Sequence, residues 1–488
     1  MLFNSFSYLV FLPIVVLLYW LVANKYRPLL LLIASYIFYS AWNPIYLILI
    51  VGMTLVNWIF GLLMAPAVRL RKPVLVAAII FNLAILCYYK YVNFILNSIA
   101  DCLNLLQFSG PGAASHLPDD WRVNVILPLG ISFFTFEFLH YLIEVFKGGQ
   151  AVKNPVKFAV FAAFFPTQIA GPIKRYQDFI HQLEQPSVFQ IALLEKGFVM
   201  VLHGLAKKVL LADNLAIYVN HIYGAPGAAT NLDLWLATYA FAFQVYCDFS
   251  GYTDVAIGSA LMLGLNVPPN FNVPYMASNI RELWHRQHIS LSNWFRDYVY
   301  FSLGGSRCSR GRIYLNLLIT TALAGLWHGA AWHHVMWGLF QGLSLIVNRE
   351  WMRFYEKIRW LKKFVQTKLW TVVAIFITFH AFCLSYVFFR ADNNAIALHI
   401  LGRMLRLWYA APHGRPLFLS TQGPLVAPLV PLIIAALVIA QILSEYLRRN
   451  SFWAKTPRLL QAIYCAFLIF MMLTLMPDEA HRFIYFQF

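Results

Sequence analysis

The chain has 488 residues, of which 60% are hydrophobic, 17% aromatic and only 12% charged, with a formal net charge of +17. A soluble domain carries about 25% charged residues and about 45–50% apolar ones; a globule of this length could not hide such an apolar surplus, so lipid must solvate much of the surface. These proportions exclude a soluble enzyme, a disordered scaffold and a collagen-like fibre, and leucine-rich runs without alternating polarity exclude an outer-membrane barrel.

No acidic residue precedes Asp101. Residues 6–23 form a charge-free span, read as a retained helix because no basic residue precedes it and more spans follow. Residues 28–68 are two crossings broken at Asn43-Pro44. Lys25 and Arg27 follow the first span, Arg69, Arg71 and Lys72 the third, and Lys147, Lys153 and Lys157 the fifth. The loops after spans two and four, at Asn43-Pro44 and around 109–120 with Asp119 and Asp120, are not basic. That alternation puts the amino terminus outside.

Residues 155–172 are apolar but bracketed by Lys153, Lys157, Lys174 and Arg175, a pattern that predicts a re-entrant or surface element over a crossing. Spans are expected near 191–211 and 234–247, with a Gly-rich apolar stretch at 255–267. Six arginines against Glu282 and Asp297 mark 281–312 as cytoplasmic. Residues 313–348 contain no Asp, Glu, Lys or Arg, and a second basic cluster, 349–368, follows. Later charge-free spans lie at 369–389, 416–444 and 459–477. The expected fold class is all-α, a polytopic integral membrane protein with about 11–13 membrane-embedded helices and re-entrant segments, at roughly 20 residues per crossing. No internal repeat is visible. The basic residues sit between apolar runs, where cytoplasmic loops belong, so the charge is no nucleic-acid footprint. The six cysteines stand alone, without the spacing of a disulfide framework or a zinc site.

The chemistry points first to 313–348. Both flanks are basic, and the arms on either side of Trp327-His328-Gly329 have 14 and 19 residues. The first is shorter than the ~20 residues of a crossing, which places the turn carrying His328 at membrane depth inside protein. An ionisable side chain there is a functional candidate, and a neutral imidazole can accept and return a proton. The bland alternative is a core histidine bonded to a neighbouring helix. His333 and His334 follow too closely for an i, i+4 zinc pair, and no carboxylate lies in the run, so no metal is expected.

A second candidate is the segment from Arg281 to Tyr300. His285 and His288 are three apart, so a helix would set them on one face beside Arg281, Arg286 and Arg296, a basic aromatic surface suited to an anionic donor; an ordinary positive-inside loop accounts for the charge equally. A third is Tyr246-Cys-Asp-Phe-Ser-Gly-Tyr-Thr-Asp254, whose Asp248 and Asp254 either handle protons or pin helices by pairing with Arg or Tyr.

At these residues the sequence resembles the membrane-bound O-acyltransferase family, in its bacterial alginate O-acetyltransferase-like branch. The matching stretches are Gln168-Ile-Ala-Gly-Pro-Ile-Lys-Arg-Tyr176, Lys207-Lys-Val-Leu-Leu-Ala-Asp213, Asp248-Phe-Ser-Gly-Tyr-Thr-Asp-Val-Ala-Ile-Gly258, Asn270-Phe-Asn-Val-Pro-Tyr275, His288-Ile-Ser-Leu-Ser292, Arg296-Asp-Tyr298, Gly325-Leu-Trp-His-Gly-Ala330 and Phe388-Phe-Arg-Ala391. One departure is Gln287, where the family usually has Trp. The resemblance implies one membrane domain over 1–488, with amino-terminal helices at 1–150, a catalytic core at 155–395 and carboxy-terminal helices at 396–488, around a central tunnel. It implies catalytic roles for His328 and His288, with Trp327, Arg281, Arg296, Asp248 and Asp254 as candidate donor or substrate contacts.

It implies no bound cofactor, acetyl-CoA or another acetyl thioester as cytoplasmic donor, and a periplasmic acetyltransferase partner that completes transfer to a polysaccharide hydroxyl. The location implied is the bacterial inner membrane. His328 would act as a base, or carry the acetyl group covalently. Peptidoglycan is an alternative acceptor. A proton-coupled transporter or flippase, with His328, Asp248 and Asp254 as relay, is the rival class; the absence of repeat symmetry stands against it. A third reading is a non-catalytic scaffold for envelope assembly.

Overall fold

Apolar runs of this length become helices because a backbone in lipid has only its own hydrogen bonds to satisfy it. The computed structural model describes residues 1–64, 70–105, 122–406, 416–417, 424, 426–449, 456–477 and 483–484, and these are all-α. Arg69, Asp119 and Asp120 lie outside the described residues. Five helical stretches among the described residues are long and apolar enough to cross a membrane: Ile45–Leu63, Arg71–Leu103, Lys368–Arg390, Ala427–Ser444 and Arg458–Leu475, with Phe6–Leu21 a shorter apolar helix.

The described residues group into two units, 1–190 with 263–267, and 191–262 with 268–488. The first contains α1 (Phe6–Leu21), α2 (Arg27–Ser40), α3 (Ile45–Leu63), α4 (Arg71–Leu86), α5 (Val92–Leu105), α6 (Ile131–Phe146), α7 (Pro155–Ala163) and α8 (Tyr176–Glu184). Asn43-Pro44 separates α2 from α3, as the sequence pattern requires. Helix α7 is nine residues long, about 14 Å at 1.5 Å per residue, too short to cross, and Phe158 to Ala163 are all buried. Its neighbourhood holds a buried ion pair. Lys174 Nζ donates to Glu137 Oε1 at 2.7 Å and to Thr167 Oγ1 at 2.7 Å, between the rings of Phe161 and Phe179.

The second unit contains α9 (Ile191–Ala206), a wide π turn (Lys207–Ala212), α10 (Asp213–Gly224), α11 (Asn231–Met262), α12 (Ile280–Arg286), α13 (Ile289–Phe295), α14 (Arg310–His328), α15 (Trp332–Glu356), α16 (Arg359–Phe364), α17 (Lys368–Arg390), α18 (Asn394–Met404), α19 (Val430–Arg449) and α20 (Arg458–Leu475). Where the sequence suggests a span at 234–247 and a separate Gly-rich stretch, the structure has one 32-residue helix, α11. Its glycines are contact points with α9. A Cβ on Gly258 would meet the Gly197 carbonyl oxygen at 2.5 Å, one on Gly197 would meet that of Gly258 at 2.6 Å, and Gly204 and Gly251 oppose each other likewise. Small residues let two helix backbones approach closely in this way.

The α14–α15 hairpin corrects the arm lengths. Helix α14 starts at Arg310 rather than Ile313, because Arg310 and Tyr314 both bond Glu350 of α15 at the hairpin's base. The arm is therefore 19 residues, about 28 Å, close to the ~30 Å hydrocarbon thickness. Gly325 and Gly338 hold the two arms together, since a Cβ on either would strike the backbone of the other helix.

Candidate active site

His328 is the last residue of α14, and a short bend, in which Ala331 N donates to the Gly329 carbonyl at 2.9 Å, leads to the start of α15 at Trp332. A helix that stops at the histidine presents its ring at an end rather than along a packed face. The ring is 6% exposed and walled by aromatics: Trp327 at 4.8 Å between ring centroids, Trp337 of α15 at 5.1 Å and Phe389 of α17 at 5.3 Å. His288 completes the group at 6.3 Å, and lies 5.8 Å from Trp327.

His288 occupies a different kind of position. It precedes α13 in a left-handed conformation (φ 45°, ψ 50°), one of two non-glycine residues with positive φ among the described residues. Such geometry costs roughly 1–3 kcal/mol and persists where surrounding bonds enforce it. Here the enforcing residue is Asn270. Its carbonyl accepts from Ile289 N at 3.0 Å, and its side-chain oxygen accepts from Ser290 N at 3.2 Å and Ser290 Oγ at 2.6 Å. Phe249 of α11 packs on the imidazole at 4.5 Å. Burial pushes this imidazole down to about 3, so the ring is neutral near pH 7.

This arrangement corrects the shared face proposed for His285 and His288. Helix α12 ends at Arg286 and α13 starts at Ile289, so no continuous helix joins them. His285 is exposed with Arg281, while His288 is buried at 3%. The basic surface is also partly neutralised: Arg286 pairs with Glu282 at 2.7 Å and Arg296 with Asp297 at 2.8 Å. The unusual Gln287 has a defined place, donating through Nε2 to the Tyr386 hydroxyl at 2.9 Å.

Asp248 and Asp254 are ion-paired. Asp254 accepts from Lys207 at 2.6 Å. Asp248 accepts from Lys208 at 2.7 Å, and Lys208 also reaches Asp213 at 2.8 Å. Lys207 and Lys208 both belong to the π turn, a local widening frequent at functional sites. The second Asp248 oxygen accepts the Ile484 N–H at 2.7 Å, and Phe483 packs on Tyr252 at 4.6 Å. A cavity of about 510 Å³ opens beside this triad. It is lined by Lys208, Asp213 and Asp248 on one side and by Gly329, His334 and Phe389 on the other. The cavity thus reaches the residues that follow and wall His328.

The structure brings together His288, Trp327 and His328, sets Asp248 in the adjoining cavity, and leaves Arg281 at the surface. Sequence reasoning passed over Trp337, Phe389, Phe249 and Lys208. Aromatics in an apolar run look like core, and only the order of the matching stretches marked Lys208, Phe249 and Phe389.

The sequence model described as the membrane-bound O-acyltransferase family matches residues 150–389, which contain both histidines. The chain is similar to a probable alginate O-acetylase of Pseudomonas aeruginosa, 38% identical over 81% of this chain and 72% of the relative. It is similar to a probable alginate O-acetylase of Pseudomonas putida, 36% identical over 92% of this chain and 87% of the relative. A peptidoglycan O-acetyltransferase of Helicobacter pylori is 32% identical over 83% of this chain and 80% of that protein.

Proposed function

The chain belongs to the membrane-bound O-acyltransferase family and is an acyltransferase, and from that premise we propose that it takes an acetyl group from a cytoplasmic thioester and passes it across the inner membrane for O-acetylation of an exported polysaccharide. The donor is acetyl-CoA, the immediate partner a periplasmic acetyltransferase, and the polymer alginate or a similar exopolysaccharide. The amino terminus lies outside, with 281–312 and 349–368 inside. The alternation of basic and non-basic loops supports this orientation.

The observation that carries the reading is the meeting of His288 and His328 in one buried aromatic group. A thioester is already activated, so the protein must supply a base, a fixed geometry and a site that excludes water. His328 takes the proton of the acceptor hydroxyl as its oxygen attacks the acetyl carbonyl. The C–O bond forms, the C–S bond breaks, and the imidazolium returns the proton to the leaving thiolate. General-base catalysis of this kind contributes about 10²–10⁴-fold. His288, neutral and rigidly held, positions the reacting group beside Trp327. Arg281 is the exposed cation that meets the phosphates of the donor.

Purified protein in proteoliposomes, supplied with radiolabelled acetyl-CoA inside and acceptor outside, tests the reading. His328→Gln keeps hydrogen bonding but cannot act as a base near neutral pH, and is expected to abolish transfer while the amount of folded protein stays near normal. A wild-type rate in that variant would make His328 structural. Similarity to the peptidoglycan enzyme favours a second reading, in which peptidoglycan is the acceptor; acetyl content of the two polymers in a deletion strain separates them.

A further inference from the structure

Acyl transfer through a tetrahedral intermediate needs a donor for the negative charge that develops on the carbonyl oxygen. Neither histidine supplies it in the scheme above, since His328 is occupied with the hydroxyl proton. Trp337 is 2% exposed and stands edge-to-face on His328, with centroids 5.1 Å apart and planes at 87°. Its indole Nε1–H has no hydrogen-bond partner among the described residues. An indole N–H is a donor only, and leaving one buried and unmade costs about 1–3 kcal/mol. Phe389 at 5.3 Å and Trp284 at 5.9 Å fix the ring from two other sides. A costly donor held by rigid neighbours next to the reacting imidazole is the arrangement that electrostatic preorganisation requires.

We propose that Trp337 is a further catalytic residue, whose indole N–H stabilises the oxyanion of the acetyl group during transfer at His328. As the acceptor oxygen bonds to the acetyl carbon, the carbonyl π pair moves onto oxygen and accepts the indole N–H. When that pair re-forms the C=O bond, the C–S bond breaks, the thiolate leaves, and it takes the proton held by His328. The inference rests on His328 as the reacting centre and adds the charge-stabilising group to it.

The test is Trp337→Phe in the full-length protein, assayed with acetyl-CoA in proteoliposomes and normalised to folded protein. Phe keeps an aromatic plane against His328 and removes the N–H. Expected is a fall in kcat of about 10²–10³-fold, the size seen when one oxyanion donor is removed, with KM for acetyl-CoA unchanged because the interaction exists only in the transition state. Trp351→Phe removes an indole N–H from the same helix, about 21 Å further along α15 at 1.5 Å per residue, where the ring packs on Trp370 instead of the His328 group, and is expected to keep wild-type kcat. Trp337→Met, also without the donor, carries the same expectation should the Phe variant fail to accumulate. An unchanged kcat in either folded Trp337 variant overturns the assignment, as does an equal loss in Trp351→Phe. Full activity of His328→Gln overturns the underlying reading as well; an inactive His328→Gln beside a fully active Trp337→Phe removes the oxyanion assignment alone.

Discussion

Two buried lysines show how the same chemistry serves two ends. Lys174, in the first unit, is 1% exposed and paired with one carboxylate, Glu137, while Thr167 and two phenylalanine rings take up the rest of its surface. Charge is cancelled one for one, and the group packs as a solid plug. Lys208, in the second unit, has two carboxylates, Asp213 and Asp248, and lines the 510 Å³ cavity. One ammonium is shared by two carboxylates at the wall of a space that reaches the His328 turn. A balanced buried pair is a structural device; an unbalanced one bordering a cavity acts on whatever enters it.

The largest expected effect lies on the balanced side. Glu137→Gln leaves the Lys174 ammonium buried without its carboxylate, and breaking such a pair costs about 3–5 kcal/mol. The amount of folded protein extracted in detergent should fall sharply. The double variant Glu137→Leu with Lys174→Met should recover most of it, because an apolar pair of similar volume replaces both charges. If the single variant accumulated normally, Lys174 would not be the plug described.

The unbalanced side should respond in activity. Asp248→Asn leaves Lys208 its bond to Asp213, so the fold keeps a partner for the ammonium. The change removes the charge of one of the two carboxylates that share Lys208 and disturbs the Ile484 N–H contact, and with it the Phe483 packing on Tyr252. Transfer should drop by up to ~10²-fold, the scale of a small misplacement of reacting groups, with folded protein near normal. Equal falls in protein and activity would place Asp248 with Lys174 as a packing group.

The two histidines were unequally legible in the sequence. His328 stood out because 313–348 carries no Asp, Glu, Lys or Arg and the turn between its two arms falls on this imidazole, a group that can accept and return a proton. His288 was reached through its spacing to His285 beside three arginines, its catalytic role came only from the motif, and its setting was misread. Helical spacing assumes an unbroken helix, yet Asn270, eighteen positions earlier, pulls the chain into a left-handed turn there. A local period cannot report a clamp that comes from a distant segment. The same limit hid Trp337 and Phe389, whose residue types are ordinary in an apolar helix and whose meaning appears only where α14, α15 and α17 converge. The Gly-rich stretch at 255–267 misled in the opposite direction, set apart from the span at 234–247, whereas Gly258 is on the contact surface of one long helix.

The smallest expected effect separates the two histidines by pH. Burial holds the His288 imidazole down at about 3, against about 6.5 in an unfolded chain. Between those values the unfolded chain binds a proton that the native site refuses. The stability contributed by the neutral ring is therefore complete above about pH 6.5 and is lost as the pH falls towards 3. The slope from this group approaches ~1.4 kcal/mol per pH unit once the unfolded histidine is mostly protonated. Thermal midpoints of the detergent-purified protein between about pH 7.5 and pH 5 should decline less steeply in His288→Gln, which has no proton to bind in either state. The acid limb of kcat should keep its midpoint in any residual activity of that variant, because a ring already neutral in the native protein does not titrate there. Parallel melting slopes in the two proteins would mean that His288 is protonated in the folded state, and the neutral positioning role assigned to it would fall.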